Sequence, residues 1–402
     1  MPPSPVTTTQ HILNALKPDQ TPSQWGSDFV TAQIDWDDLV VRAIVLGLAP
    51  QLHARLSAWQ IKAAPRAAAK LAVTYRAQAK RSEAIYTQLR EVLHACVARG
   101  LHPIALKGVH LAAYYYAAPP LRPMNDIDLL FTPAELPAAE AMLAELGYGG
   151  KYKSAEMGAG VTKHTSTFRR ADDHEGATPN PYLSADSGRT IEPHTSLEES
   201  WFGLKVDITP GIRDRAETAE LAGMPCLVLA REDLLLHLCL HFCFHLIQGA
   251  PSLVQLTDLL TVTQADLAWD TFVRRAQHYC AAPYALAGLM LAQKLLDAPV
   301  PAAALTGLAQ ATPRALHRRI ERLGLVDVLR RTQQTPLTSI PQRIRRGLSD
   351  RAETARWAPD WHGRIRVWRT LFHAARTDTG QIILNRLKRE EKSRTMRQGK
   401  QN

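Results

Sequence analysis

The chain has 402 residues, of which 46% are hydrophobic and 21% are charged, and its formal net charge is +10. This composition is typical of globular domains and excludes a wholly disordered chain. The charge is unevenly placed: residues 313–402 carry 22 Lys+Arg against 8 Asp+Glu, whereas residues 1–312 carry 26 against 30. Basic charge therefore argues for a nucleic-acid partner only in the last 90 residues.

The cysteines and the N-terminal residues both lead us to expect a reducing, cytoplasmic environment. Five cysteines without a CxxC pair exclude a disulfide framework in a chain of this length. Residues 1–20 lack the basic start and apolar segment of a signal peptide. No run of about 18 apolar residues occurs, so we expect no membrane span and a cytoplasmic protein.

The first hundred residues predict helices. Residues 1–35 are polar and rich in proline and threonine, so we expect a flexible lead-in. Apolar residues then recur at spacings of three and four over 37–59 and 65–99, which predicts two amphipathic helices. Together they form a helical N-terminal module over residues 36–100.

From residue 101 short apolar runs alternate with helical patterns, which predicts an α+β fold with a small mixed β-sheet flanked by N-terminal and C-terminal helical segments. We place an α/β core over 101–210, a helical domain packed on it over 211–312, and a basic helical segment over 313–402. Strands are expected over 103–106, 126–131, 164–170 and 190–197, with a loop over 171–187. Helices are expected over 109–116, 133–147, 231–260, 272–296, 315–331, 365–375 and 381–392, and the last ten residues are expected to fray.

The segment Asp126-Ile127-Asp128 carries the clearest chemical signal. Side chains alternate along a strand, so the two carboxylates share one face about 7 Å apart while Ile127 points into the core. Two such carboxylates bind a divalent cation between them, and without a cation they repel each other.

A second signal precedes it at the turn Lys107-Gly108, between a strand and a helix. Free backbone N–H groups and the helix dipole at a helix start favour an anionic group such as phosphate. Gly108 permits close approach, and Lys107 adds positive charge. Arg122 has two open interpretations: it holds a triphosphate, or it pairs with Asp126.

The ordered elements Leu106-Lys107-Gly108 and Arg122-x-x-x-Asp-Ile-Asp-Leu-Leu resemble the uncharacterised nucleotidyltransferase family of the DNA polymerase β superfamily. The later segment Thr190-Ile-Glu-Pro-His194 is similar to the family's strand with a third carboxylate, which implies that Glu192 is a metal ligand. Two further segments, 231–245 and 256–260, resemble downstream helices of the family. The resemblance covers about residues 100–262.

The resemblance implies a metal-dependent nucleotidyltransferase that moves a nucleoside monophosphate from ATP or another NTP to an unknown hydroxyl acceptor and releases pyrophosphate. It implies Mg²⁺ or Mn²⁺ at the catalytic carboxylates Asp126, Asp128 and Glu192. Nucleotide binding falls to Lys107, Gly108 and Arg122. Two features depart from the pattern of the superfamily: Val109 replaces a serine that contacts phosphate, and Pro193 removes a strand donor.

Other interpretations stay open. The chain could instead be a non-catalytic protein that kept the fold and binds a nucleotide, a nucleic acid or a protein partner, including a toxin–antitoxin-like role. His237, His241 and His245 share a helix face, but their spacing matches no common zinc site. The arginine-rich segment, with Trp357, Trp361 and Trp368 among its arginines, has three interpretations: solvated helices, a nucleic-acid surface, or a contact with a partner or a membrane surface.

Overall fold

The computed structural model describes residues 4–152, 166–170, 189–330 and 340–373. The expected loop over 171–187, the expected helix over 381–392 and the last ten residues lie outside these ranges, as does the start of the strand expected over 164–170.

The N-terminal part is helical from its first described residues. Its helices are Pro5–Leu16 (α1), Pro22–Thr31 (α2), Trp36–Val45 (α3), Ala49–Ala58 (α4) and Pro65–Ala98 (α5).

The expected flexible lead-in over 1–35 needs correction, because Pro5–Leu16 and Pro22–Thr31 within it form α1 and α2. Each helix has proline in its first turn, and the hydroxyls of Ser4 and Thr21 accept N-terminal backbone N–H groups. Ile12 and Leu13 of α1 are fully buried. Pro5, Thr21 and Pro22, which suggested a loose segment, are therefore helix-start residues.

The single helix expected over 37–59 is two helices. Gly47 has φ +76°, a left-handed conformation that ends α3, and α4 begins two residues later at Ala49. The helix expected over 65–99 is confirmed as α5.

The central part contains most of the strands. They are Ile104–Ala105 (β1), Asp126–Leu130 (β2), Tyr148–Tyr152 (β3), Ser166–Arg170 (β4), Thr190–His194 (β5), Glu198–Trp201 (β6), Leu204–Asp207 (β7), Glu217–Leu221 (β8) and Met224–Val228 (β9). Helices Lys107–Tyr114 (α6), Leu136–Glu145 (α7) and Ile212–Arg215 (α8) lie between them, with a 3₁₀ turn at Pro119–Leu121.

Seven strands form one mixed sheet in the order β3-β4-β5-β2-β1-β9-β8, and β6 and β7 form a separate hairpin. The α+β class with a mixed sheet and flanking helices is thereby confirmed. The predicted core ended at residue 210, but β8 and β9 follow that residue and extend the same sheet, with β9 parallel to β1. The expected helical domain over 211–312 therefore includes two core strands. The remaining domain boundaries stay predictions.

The C-terminal part is again helical. Its helices are Arg231–Ile247 (α9), Leu253–Thr263 (α10), Trp269–His278 (α11), Ala282–Leu296 (α12), Ala302–Gln310 (α13), Arg314–Glu321 (α14), Leu325–Leu329 (α15), Ile340–Ala355 (α16) and Trp361–His373 (α17). None of the described helices combines the length and the apolarity needed to cross a bilayer.

The sheet separates two hydrophobic cores. The sheet core contains Ile127, Leu129 and the second half of α5. The helix core contains Leu106, Leu130 and most of α9 and α12. Because neighbouring strand residues point to opposite faces, the even-numbered residues of β2 face the helix core. The carboxylates at 126 and 128 therefore lie on the face that α9 covers.

Candidate active site

The two strands that carry the acidic residues lie side by side in parallel. β2 and β5 pair so that Asp128 is opposite Glu192 and Asp126 is opposite Thr190. Since side chains alternate between faces, these residues and His194 all point to one face of the sheet. The pairing brings together the carboxylates that the sequence analysis predicted as one site.

Pro193 removes no hydrogen bond between these two strands. Phe131 N donates to the His194 carbonyl oxygen at 2.9 Å, so the even-numbered residues of β5, Glu192 among them, bond toward β2. Pro193 lies between them and faces β4, whose pairing with β5 occurs at Ile191. A proline is tolerated at this position because no ladder donor is required there.

Three buried side chains form a group with metal-ligand character. One potential ligand atom from each of Asp128, Glu192 and His194 lies within 4.8 Å of the other two. His194 Nε2 is 2.8 Å from Asp128 Oδ1. Asp126 lies on the same face but outside this group and is half-buried. The ligand role of Asp126 stays a prediction. His194 belongs to the group of potential ligands, although no role was predicted for it from the sequence.

The donor chemistry of this group fits a divalent cation. Carboxylate oxygens suit Mg²⁺ and Mn²⁺, whereas an imidazole nitrogen is more typical of transition metals. The structure thus contains a buried acidic and histidine group able to bind a metal.

Lys107 is the counter-ion of this group. Its Nζ is 3.2 Å from Asp128 Oδ2, and both side chains are almost fully buried. Burial opposes the charge on Lys107, but Asp128 and Asp126 outweigh it and raise the pKa of the lysine. Burial likewise opposes the charge on Asp128, yet Lys107 and His194 hold its pKa well below the ordinary value. Asp128 and Lys107 therefore form a charged pair.

Asp126 behaves differently from Asp128. Burial, followed by repulsion from Asp128 and Glu192, raises the pKa of Asp126 to about 7. Like charges on one face of a sheet cause this shift, and a bound cation would reverse it. The surroundings therefore disfavour the charged form of Asp126 and favour the charged form of Asp128.

The turn Lys107-Gly108 begins α6 in an unusual conformation. Lys107 has φ +40°, in the left-handed region that non-glycine residues rarely adopt. No side chain caps the start of α6, and Leu106 N donates to the Asp128 carbonyl oxygen at 3.0 Å. The turn is thereby fixed against β2, beside the carboxylates, with its helix start free of a capping side chain.

Because Gly108 has no side chain, it leaves space for the Arg122 guanidinium. A Cβ atom at Gly108 would lie 2.5 Å from Arg122 Nη1 and 3.2 Å from Met124 Cγ. Phosphate contact was the predicted reason for the glycine, and the structure adds a packing reason: any side chain here would collide with Arg122.

Arg122 itself is held by Asp258 of α10. Arg122 Nη2 donates to Asp258 Oδ2 at 2.9 Å and Nε donates to Oδ1 at 3.2 Å, while Tyr116 Oη donates to the same Oδ1 at 2.8 Å. Of the two interpretations of Arg122, direct pairing with Asp126 is not what the structure shows. Asp258 lies in a segment quoted for the resemblance, but nothing in its sequence identified Arg122 as its partner.

A second buried acid–imidazole pair lies nearby. His241 Nδ1 of α9 is 3.0 Å from Glu199 Oε1 of β6. Burial, followed by the charge of Lys107, holds the pKa of His241 well below its ordinary value. The ring of His245 is 4.2 Å from that of His241. Within the described ranges, the group of potential metal ligands formed by Asp128, Glu192 and His194 includes none of the histidines of α9.

Helix α5 holds the backbone of two segments of the site by hydrogen bonds from the other side of the sheet. Arg81 Nε donates to the Met124 carbonyl oxygen at 2.7 Å, two residues before Asp126, and Tyr86 Oη donates to the Val109 carbonyl oxygen at 2.8 Å. One helix therefore positions both the strand with the aspartates and the helix that follows the Lys107-Gly108 turn.

A cavity of about 580 Å³ lies beyond α6, between the β8–β9 hairpin and α10. Its lining includes His110, Tyr115, Glu217, Arg231 and Asp266. None of the predicted site residues lines it, so it is separate from the acidic group.

Comparison with known proteins identifies one family. Residues 32–297 match a family described as uncharacterised nucleotidyltransferase. No curated protein and no solved structure matches the chain. The match is wider than the segment of about 100–262 that carries the resemblance, since it also takes in α3, α4 and α5 and continues through α12.

Proposed function

The chain belongs to the uncharacterised nucleotidyltransferase family, and on that premise we propose that it transfers a nucleoside monophosphate from an NTP, with ATP as the first candidate, to a hydroxyl acceptor. The observation that carries this proposal is the position of Asp128 and Glu192 on paired strands, directly beside the Lys107-Gly108 turn. Carboxylates able to hold a cation and a turn able to hold phosphate lie next to each other, as this reaction requires.

A divalent cation, Mg²⁺ or Mn²⁺, is the proposed cofactor, with Asp126, Asp128 and Glu192 as its ligands and His194 as a fourth candidate. When bound, the cation supplies positive charge to the triphosphate and to the leaving pyrophosphate. Asp126 is the most exposed of the three carboxylates, which suits a ligand shared between the protein and a substrate.

The nucleotide phosphates are proposed to lie at the start of α6. The backbone N–H groups there have no side-chain cap, and Lys107 is a charged donor beside them. Arg122 faces the same turn from behind Gly108 and is held rigidly by Asp258. We propose that the Arg122 guanidinium, held in a fixed position, adds positive electrostatic potential at the turn.

The reaction forms a bond between the acceptor oxygen and the α-phosphorus and breaks the bond from that phosphorus to the bridging oxygen of pyrophosphate. The acceptor hydroxyl loses a proton, which we assign to the Glu192 carboxylate before it passes to solvent. Since NTPs are made in the cytoplasm, we place the activity there; all five cysteines are free thiols, consistent with that compartment.

The test of this proposal uses titration calorimetry with each of the four NTPs and Mg²⁺. The wild type is expected to bind an NTP with Mg²⁺, and the double variant D126N/D128N is expected to lose that binding. Equal binding by both proteins contradicts the proposed metal site. Labelled NTPs with a cell extract then identify the acceptor, because the label appears in a new product only if transfer occurs.

One observation favours a second candidate, a non-catalytic nucleotide-binding protein. Both carboxylate oxygens of Asp128 already have partners within the protein: His194 contacts Oδ1 and Lys107 contacts Oδ2. A carboxylate satisfied in this way resists recruitment as a ligand. NTP binding without pyrophosphate release, measured with an extract that supplies acceptors, identifies this alternative.

A further inference from the structure

Helix α17 exposes a row of large apolar side chains. The exposed fractions are 62% for Trp361, 41% for Ile365, 39% for Trp368 and 39% for Leu371. Spacings of four, three and three residues place all of them on one face of the helix. We call this set the apolar stripe. Large apolar side chains exposed singly are ordinary, but four in one row mark a contact surface.

The opposite face of α17 is packed on the protein. Val367 is fully buried, and a Cβ atom at Gly203, in the turn between β6 and β7, would lie 3.1 Å from the Arg366 carbonyl oxygen. Arg351 Nε of α16 donates to Thr370 Oγ1 at 2.8 Å. The helix is therefore anchored, and the apolar stripe faces outward because of this packing.

Arginines border the apolar stripe. Arg364, Arg366 and Arg369 are exposed; at 100° per residue Arg364 falls within the arc of the stripe and Arg369 beside it, whereas Arg366 lies on the far side of the helix. Helix α17, residues 361–373, carries three arginines and no acidic residue. The helix is thus positively charged as well as apolar.

This combination matches the chemistry of an anionic bilayer surface. Helices that lie in the plane of a membrane interface have aromatic and aliphatic residues on one face and basic residues at its margins. Tryptophan is favoured at the headgroup level, aliphatic side chains enter the acyl boundary, and arginine pairs with lipid phosphates. We propose that α17 docks the protein on an anionic lipid surface through the apolar stripe.

Single-stranded nucleic acid is the weaker occupant for this surface. Bases stack on aromatic rings, and arginines contact the phosphates, so Trp361 and Trp368 would serve either ligand. Ile365 and Leu371, however, continue the stripe with aliphatic groups that offer bases no stacking surface. Transfer of these aliphatic and aromatic side chains into the acyl region of a bilayer removes the most apolar surface from water and therefore gives the largest gain in free energy. The proposal does not depend on the nucleotidyltransferase chemistry, because the stripe contains none of the candidate site residues.

The test measures co-sedimentation of the full-length protein with vesicles of phosphatidylcholine alone or mixed with phosphatidylglycerol. We expect binding to the mixed vesicles that weakens as salt is raised, and little binding to phosphatidylcholine. The variant W361S/W368S is expected to bind the mixed vesicles at least about tenfold more weakly, since binding scales with buried apolar area.

The matched control is V30S/V73S, which removes two exposed apolar side chains from other helices; these valines are 75% and 59% exposed. It should bind vesicles like the wild type. Because all four positions are exposed, the variants should fold, which thermal unfolding checks. The proposal is overturned if mixed vesicles fail to bind the wild type at low salt, if W361S/W368S binds them as well as the control, or if single-stranded DNA binds through these tryptophans while vesicles do not.

Discussion

Asp128 and His194 are joined by a contact of 2.8 Å between Oδ1 and Nε2, although 66 positions separate them in the chain. The other oxygen of Asp128 contacts Lys107. One carboxylate thus links β2, β5 and the start of α6. The two aspartates of the motif, only two residues apart, consequently differ in what they contribute to the fold.

We expect D128N and D126N to change stability in opposite directions. D128N leaves the buried Lys107 without its nearest counter-charge, which costs about 3 kcal/mol in free energy of unfolding. D126N removes a carboxylate that burial and like charges already disfavour, so stability should rise by roughly 1 kcal/mol. Urea unfolding at about pH 8 with a chelator measures both. Equal losses in the two variants would show that the ion pair to Lys107 has no special role.

Arg122 and Asp258 should behave as a buried ion pair. R122Q leaves Asp258 charged and fully buried, which we expect to cost about 3–5 kcal/mol. The double variant R122M/D258L replaces both charges with apolar groups and should recover part of that loss. A double-mutant cycle from urea unfolding gives the coupling energy, and additive losses would contradict the pairing.

Gly108 and Gly26 provide a matched pair of substitutions. G108A places a Cβ atom 2.5 Å from Arg122 Nη1, so we expect a loss of about 1–3 kcal/mol from the displaced arginine. G26A, in α2, meets nothing within 4 Å and should gain about 0.5–1 kcal/mol from helix propensity. Thermal unfolding of both variants checks the prediction. A neutral G108A would mean that Arg122 moves aside freely.

His11 should make stability depend on pH. It packs against Trp25 and Phe29, Nε2 has no partner among the described residues, and burial lowers its pKa to about 4. The folded pKa lies below the unfolded value of about 6.5, so the unfolded state takes up the proton first. The resulting stability is complete above the unfolded pKa and is lost as the pH falls toward the folded one.

The variant H11F tests this. Between about pH 7 and pH 5 the wild type should lose roughly 1–2 kcal/mol more than H11F, in which phenylalanine keeps the ring contacts without an ionisable nitrogen. H94F, at an exposed position of α5, should keep the pH dependence of the wild type. Parallel urea unfolding at the two pH values measures the difference, and identical slopes for wild type and H11F would refute it.

Local patterns predicted the parts of the site that lie within single elements. The alternation in Asp126-Ile127-Asp128 indicated a strand with carboxylates on one face, and the resemblance of residues 190–194 supplied the neighbouring strand. Both strands are present and paired. These features were predictable because a period of two is visible in five residues.

Partners that lie far apart in the chain were not predictable. Asp258 is 136 positions from Arg122, and acidic residues in helices usually face solvent, so no local signal marked it as a buried counter-ion. Strands β8 and β9 were missed because their short run precedes the long helical pattern of α9 and carries no period of its own. Tertiary pairing determines both features.

Helix α5 contributes to both hydrophobic cores, with Leu71 in the helix core and Leu89 in the sheet core. It has 34 residues, about 50 Å of continuous helix. A rigid rod shared by two cores transmits the loss of one to the other, because neither can melt without freeing part of the same helix. The protein should accordingly unfold in a single calorimetric transition in which the N-terminal helices and the sheet unfold together. The group formed by Asp128, Glu192 and His194 should therefore stay folded up to that transition.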